Sequence, residues 1–536
     1  MPLLGRDTSV TGPFPAGVLL LESLVGEEML GYPFGFELGL LSKDPLLNPD
    51  HLLGKPLGVG LTLDGGGERF FHGVVTEFAK GGTTHLYTRY SAKLRPRLAT
   101  FDLTCDCRVF HREGQNALAI VTAVLGERGF SDVESGSVAD HEFKPRDFCV
   151  QYRESDLHFV QRLLEEEGIY YFFRHEAGKH TLVLADAITA HETAAGYEVV
   201  SYAPKQRKAA GTEEHFWNMR VGARMSHGRH TVLSGYDPTK KRPKQPHVGE
   251  QSSSEVEPGW QFESYDYPGG LCESDEAKRE ALLRTEVGST QNTIVEVEGN
   301  TMGLGVGHLV TLVPGQMEAG GEFSFWRGKQ SGRQFLVAGA SYRLSINQHE
   351  TGEVAPTDEP YHARYWLMDS EKPFRPARMT EKPRITGPQT ALVVGPKGEE
   401  IWTDKLARVR VQFDWDRLGK YDENSSCWAR VAQMWAGEKW GSIHIPRIGQ
   451  EVVVRFLDGD PDRPIVTGRV YNRDQMAPYD LPANQTQSGI ESRSTKKGTA
   501  YNFNEIRFED KKGEEELHLQ AERDMSTLVK HDQTLH

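Results

Sequence analysis

The sequence predicts a mainly β, α+β protein built from several domains, with only a few helices. Three observations carry that reading. Gly is abundant, at 55 copies in 536 residues, and together with 28 Pro it separates many short apolar runs. Short runs bounded by turn residues read as strands. Only three segments show helical spacing or a helix start. The balance of 38% hydrophobic to 26% charged residues suits a soluble chain, long enough for three or four domains with their own cores.

Composition also limits function. Acidic residues outnumber basic ones by 76 to 62, a net charge of −14. Nucleic-acid affinity rests on Lys and Arg, so such a ligand is not expected as the main partner. The five cysteines, Cys105, Cys107, Cys149, Cys272 and Cys427, are odd in number and widely spaced. They form no disulfide framework, which points to a reducing compartment. Met1–Val10 contains Arg6 and Asp7, and Val18–Leu21 is a run of only four apolar residues. No signal peptide or membrane-length apolar segment is read from this.

The first hundred residues read as strands of a barrel or sandwich. Phe70–Phe78 and His85–Tyr90 flank an expected turn at Lys80-Gly81-Gly82. The period then changes. Asn116–Arg128 sets Leu118, Val121 and Leu125 on one helical face and stops at Gly129. A second helix is capped by Ser155 or Asp156, lined by Leu157, Val160 and Leu164, and ended by Gly168. A hairpin follows, with Ile169–Phe173 and Thr181–Ala185 around a turn at Ala177-Gly178. A third helix starts at Ser274, with Asp275 and Glu276 in its first turn. Val306–Val313 and Phe335–Leu344 return to strand, and residues 351–383, rich in Pro and charge, read as a linker.

Beyond Arg384 alternation is strong. Val409, Val411, Phe413 and Trp415 share one strand face, and Arg408, Arg410, Gln412 and Asp414 the other. Glu451–Leu457 and Ile465–Tyr471 add strands, and about 90 residues of this kind fit a small OB-fold barrel. After a polar stretch at 475–500 comes a narrow strand pair, with Ile506 and Phe508, a Lys511-Lys512-Gly513 turn, then Leu517 and Leu519. One thin strand pair cannot bury itself, so it needs repeats or other chains.

Several clusters invite a chemical reading and are better read as structure. Cys105, Cys107 and His111 supply three close ligands where structural zinc wants four. His175 and His180 flank Glu176 at a spacing that suits a hairpin turn rather than a zinc helix. Asp458, Asp460 and Asp462 begin like a calcium loop, but Arg463 and Arg469 occupy the positions for its Gly and Glu. Gly303, Gly305 and Gly307 lack the last glycine of a nucleotide loop. Glu165–Glu167 and Glu514–Glu516 read as solvated acids. Trp415 alternates with core positions, while Trp402, Trp428, Trp435 and Trp440 read as surface or interface, or as base-stacking rings. No catalytic, cofactor or metal residue is expected.

Longer segments carry a resemblance. YRESDLHFVQRLLEEEGIYYFF at Tyr152–Phe173, YDYPG at Tyr265–Gly269, ARVRVQFDWD at Ala407–Asp416, FLDGDPDRPI at Phe456–Ile465, TGRVYN at Thr467–Asn472 and NFNEIRFEDKKG at Asn502–Gly513 resemble the VgrG family. VgrG proteins form the spike of the type VI secretion system. The resemblance implies a phage-tail-like hub with two related barrels, at residues 1–105 and 211–375. An α+β insertion at 106–210 lies between them, an OB-fold barrel spans 384–475, and a trimeric β-prism or β-helix needle begins at 484–536. It implies a non-enzymatic homotrimer, made in the bacterial cytoplasm without a signal peptide and secreted by the type VI system. Such a spike caps a hexameric tube protein, punctures target membranes and carries a tip protein or effectors, with no nucleic acid. The trimer interface would take Ile506, Phe508, Leu517, Leu519 and Leu528. Because the sequence stops at His536 without a capping segment, a truncated chain or an unusually short needle is expected. A phage tail hub, a cell-wall hydrolase on the same scaffold and an oligonucleotide-binding protein are the rival readings.

Overall fold

A computed structural model describes residues 8–84, 86–111, 115–138, 143–203, 214–223, 230–235, 238, 247–252, 263–267, 274–290, 293–314, 324–325, 328–329, 332–346 and 360–536. Cys272 and the last two residues of the Tyr265–Gly269 motif lie outside the described residues. The chain forms two compact units, each assembled from separated segments. The first takes residues 1–105, 116–144 and 155–381, and the second takes 106–115, 145–154 and 382–536. Among the described residues no helix is long and apolar enough to cross a membrane.

The first unit begins with β1 (Thr8–Thr11), β2 (Leu20–Met29), β3 (Tyr32–Ser42), β4 (Pro56–Thr62), β5 (Glu68–Thr83) and β6 (Thr88–Arg95). They run antiparallel in the order β1-β4-β5-β6-β3-β2. Alternation makes the core: Thr88, Tyr90, Ala92 and Leu94 of β6 are buried, and the residues between them are not. β2 then pairs with the strand Gln334–Ser345. That strand opens a second set, completed by Tyr361–Asp369, Thr293–Gly299, Phe216–Ala223, Val199–Tyr202 and His308–Pro314. The last of these pairs back onto Gln334–Ser345, closing a six-stranded barrel. Closure removes the free edges on which a sheet would aggregate.

Two expectations change here. The Lys80-Gly81-Gly82 segment is not the turn; β5 runs through it and the chain turns at Thr84–Tyr87, where Thr84 N donates to Tyr87 O at 2.7 Å. The glycines sit where the β5/β6 register shifts, a bulge that a residue without Cβ accommodates. Nor is 351–383 a plain linker. Residues 351–359 lie outside the described residues, but Tyr361–Asp369 is a barrel strand, with Tyr361, Ala363, Tyr365 and Leu367 facing the core. Flanking Pro and charge masked its alternation.

The first two helices lie where their caps put them. α1 (Ala117–Glu127) starts at Asn116, whose side chain accepts from Ala119 N. α2 (Asp156–Glu167) starts at Ser155, which accepts from His158 N, and ends at Gly168 in the left-handed region at φ 73°. Its buried face is Phe159, Val160, Leu163 and Leu164, with Leu157 only half-buried. Glu165 is no solvated acid: it is buried, and its carboxylate accepts from Thr380 N and Oγ1 at 2.9 and 2.8 Å. α3 covers Ser274–Thr290.

The second unit is a five-stranded barrel sheet in the order Arg410–Phe413, Gln389–Val394, Glu451–Phe456, Pro464–Val470, Arg430–Val431. Its core holds Val393, Val409, Val411, Phe413, Val452, Val454 and Val466, with Trp415 stacked 4.9 Å from Phe413. Phe148 and Val150, from far earlier in the chain, belong to this same core.

Candidate functional site

The C-terminal part of the second unit is a three-stranded antiparallel sheet of Gln487–Glu491, Glu505–Glu509 and Glu516–Gln520. In register, Ile506 lies opposite Ile490 on one side and Leu519 on the other, and Phe508 lies opposite Leu517. These five apolar side chains form one face, and all are between 47% and 60% exposed. The charged face is the covered one. Glu505 is buried and accepts from Tyr479 Oη at 3.0 Å, with Arg507 and His518 3.8 and 3.7 Å from its other oxygen. Partial burial and the bond to Glu505 push the Tyr479 hydroxyl up to about 12. The amphipathic sense is therefore the reverse of a soluble globule. Leu528 is also exposed but lies beyond the sheet, in a tail without regular structure.

The base of this sheet is fastened to the barrel. Arg447 donates to Arg493 O at 2.7 Å, Lys496 pairs with Glu399 at 2.8 Å, and Lys497 N donates to Glu400 at 2.6 Å. Gly489 is required, since a Cβ there would lie 2.4 Å from both Ile506 O and Tyr479 Oη.

The other sequence clusters resolve as follows. Asp460 and Asp462 grip Lys382 at 2.7 and 2.6 Å, and Asp462 also accepts from Val150 N at 2.7 Å. The aspartate run is thus a latch on segments from elsewhere in the chain. Cys105 and Cys107 share a strand face, while His111 is taken up by Asp147 O and Arg410. Among the described residues no group of His, Cys, Asp and Glu is placed to hold a metal. Gly303 and Gly307 lie under aromatic rings, so close that a Cβ would meet Tyr197 at 2.1 Å and Phe172 at 2.6 Å. Trp402 stacks on Trp428 at 6.2 Å, whereas Trp435 and Trp440 stand exposed.

One cluster escaped the sequence altogether. In the first unit, buried Glu28 accepts from His175 Nε2 and Tyr342 Oη, each at 2.8 Å, with Arg69 3.8 Å away. His72 N donates to His175 Nδ1 at 3.1 Å, and Arg97 N donates to His180 Nε2 at 3.0 Å. The Nδ1 atoms of His72 and His180 lie 2.9 Å apart and share one proton. Burial and the neighbouring imidazoles lower His72 to about 4 and His180 to about 3. Burial alone would raise Glu28, but His175 and Arg69 outweigh it and the carboxyl stays below its usual range. His175 and His180 do face each other across the expected hairpin, yet the hairpin tip is not all they make. They belong to a buried polar knot joining distant strands.

A six-stranded antiparallel sheet running into a closed six-stranded barrel, a smaller barrel and an inside-out sheet are the parts to be accounted for. Comparison with known proteins accounts for them segment by segment. Residues 27–347 match the phage tail baseplate hub (GPD) family. Residues 399–471 match the type VI secretion system/phage-baseplate injector OB domain, and 488–536 the bacteriophage T4 gp5 C-terminal trimerisation domain. The type VI secretion system spike protein VgrG1c of Pseudomonas aeruginosa is 44% identical over 532 residues, 99% of this chain and 70% of the relative. VgrG1a of the same organism is 43% identical, over 99% and 80%. The chain belongs to the VgrG family of type VI secretion spike proteins. Two solved structures share the fold. The E. coli c3393 protein, a type VI component described as similar to T4 tail proteins gp27 and gp5, has TM-score 0.59 at 19% identity, over 86% of this chain and 99% of that one. A chain of the Francisella PdpA-VgrG complex has TM-score 0.59 at 9% identity, over 97% and 89%.

Proposed function

We propose that three copies of this chain assemble through the sheet at 487–520 into a spike that caps a hexameric tube, pierces a target membrane and carries a tip protein or effectors outward. The carrying observation is the reversed sheet: Ile490, Ile506, Phe508, Leu517 and Leu519 face water while Glu505 is buried. Three such faces turned towards one axis bury each other, and Leu528 continues the same interface. In this reading residues 1–105 and 211–375 supply most of the hub barrels, the segment 106–210 adding the strand Val199–Tyr202 to the second of them and residues 106–115 and 145–154 to the other unit. Residues 384–475 form the barrel at the needle's base, and 484–536 begin the needle. The work is mechanical. The buried Glu28 knot has its protons committed to internal partners, which suits a stiff hub rather than a reaction centre. Relatives bearing the type VI secretion spike name support export by that system.

Light scattering after size exclusion tests the assembly. One chain is 60.1 kDa, so the expected mass is about 180 kDa for a closed trimer, falling to one chain when residues after 484 are removed. A full-length monomer at micromolar concentration would overturn the reading. Muropeptide release from peptidoglycan by the purified chain would overturn the mechanical assignment.

A further inference from the structure

The barrel carries a feature that the needle sheet does not explain. Between Arg430–Val431 and Glu451–Phe456 a small hairpin pairs Ala436-Gly437 with Trp440-Gly441. Trp435 and Trp440 meet edge to face with centroids 5.0 Å apart. Both rings remain more than half exposed, as do Met434 and Ile443 beside them. The hairpin is built to hold this display. Trp440 lies across Gly437, where a Cβ would come within 2.2 Å of the ring. Gly441 adopts φ 133°, and a Cβ there would lie 2.4 Å from Trp435 O. Ser442 N donates to Trp435 O at 2.9 Å, and His444 N donates to Gln433 Oε1 at 3.0 Å. Arg469 clamps His444 O. Two tryptophans fixed in this way, with exposed Met434 and Ile443 flanking the hairpin in sequence, are an apolar patch prepared for a partner before it arrives.

We infer that the Trp435/Trp440 hairpin docks onto the barrel of a second copy of this chain, forming an interchain contact separate from the needle sheet. The occupant follows from continuity. The irregular segment leaving the hairpin runs through exposed Ile443 to Arg447. The Arg447 guanidinium bonds Arg493 O, two residues past the sheet's first strand and inside the segment matching the trimerisation domain. A single tether thus links the hairpin to the root of the face that neighbouring copies cover. When three sheets close on one axis, their barrels crowd together at that root, and a rigid aromatic hairpin there meets protein rather than water. Aromatic anchors of this kind dominate interface energies. This inference rests on the trimer reading.

The test uses the full chain with a benzoylphenylalanine crosslinker at Glu438, the hairpin tip, so that neither tryptophan is altered. Irradiation is expected to give a covalent species of two chains from a preparation that scatters light as a trimer. Trp435→Ser with Trp440→Ser is expected to raise the trimer dissociation constant at least thirtyfold, roughly the loss of one aromatic hot spot, with the barrel's thermal unfolding unchanged. A trimer that yields only single-chain products at Glu438, and dissociates as before in the double variant, overturns the hairpin contact and leaves the needle assembly standing. Tryptophan-dependent flotation with phosphatidylglycerol vesicles, without chain-to-chain crosslinks, overturns it in favour of a membrane surface. A monomeric preparation overturns both.

Discussion

Replacing Ile506 and Phe508 together by Thr removes the centre of the outward face while keeping residues that suit a strand. Both side chains are 47% exposed in the single chain. Full burial of such a side chain is worth about 1.5–3 kcal/mol, so covering the remaining half contributes about 1 kcal/mol each. Two sites give about 2 kcal/mol per chain and about 6 kcal/mol per trimer, which is on the order of a ten-thousandfold rise in the dissociation constant. The assay is light scattering over a dilution series, with Lys512→Thr at the exposed turn as a control. The double variant is expected to separate into single chains at concentrations where the control stays assembled. The same dissociation midpoint in both proteins would refute the claim that this face is the interface.

Three further outcomes follow from the buried contacts. Glu28→Gln strips the counter-charge from buried Arg69 and the charged acceptor from His175 Nε2, and is expected to cost about 3 kcal/mol, as breaking a buried pair does, read as a lower denaturant midpoint of the first unit. Acid should weaken that unit. His72 and His180 ionise at about 4 and 3 when folded and near 6.5 when unfolded. The unfolded chain therefore binds more protons between those values, and stability falls as pH drops from about 6.5 to about 4, by about 3 kcal/mol per uncoupled imidazole. A denaturant midpoint flat across that window would contradict the neutral His72–His180 pair. Asp462→Ala removes the acceptor of Val150 N and one partner of Lys382, and hydrogen exchange should accelerate across residues 148–152 ahead of the rest of the barrel.

Much of this architecture is legible locally. Asn116, Ser155 and Gly168 mark helix ends by capping chemistry, and Val409, Val411 and Phe413 announce a half-buried strand by period alone. The reversed sheet is legible too, because Ile506, Phe508, Leu517 and Leu519 have no covering segment nearby in sequence. What escapes is what depends on distant partners. Glu28, Arg69, His175 and Tyr342 come from four separate strands, and nothing beside any of them foretells the others. Glu165 reads as surface until Thr380 arrives over two hundred residues later. The Tyr361–Asp369 strand has good alternation, but its polar flanks hide it. The Trp435/Trp440 hairpin hides for a different reason, since exposed aromatics and core aromatics look alike in a sequence.

Phe148 and Val150 impose an order of events on the newborn chain. Their companions in the barrel core begin at Ile385 and run to Val466, so at about 5–20 residues per second the ribosome takes at least ten seconds or so to supply them. Until then a pair of apolar side chains waits uncovered. Excision meets the same constraint from the other direction. A fragment beginning at Arg384 carries every barrel strand yet lacks part of its own interior, so the barrel is no detachable module. Domain swaps between spikes of this kind should therefore exchange residues 145–154 along with the barrel.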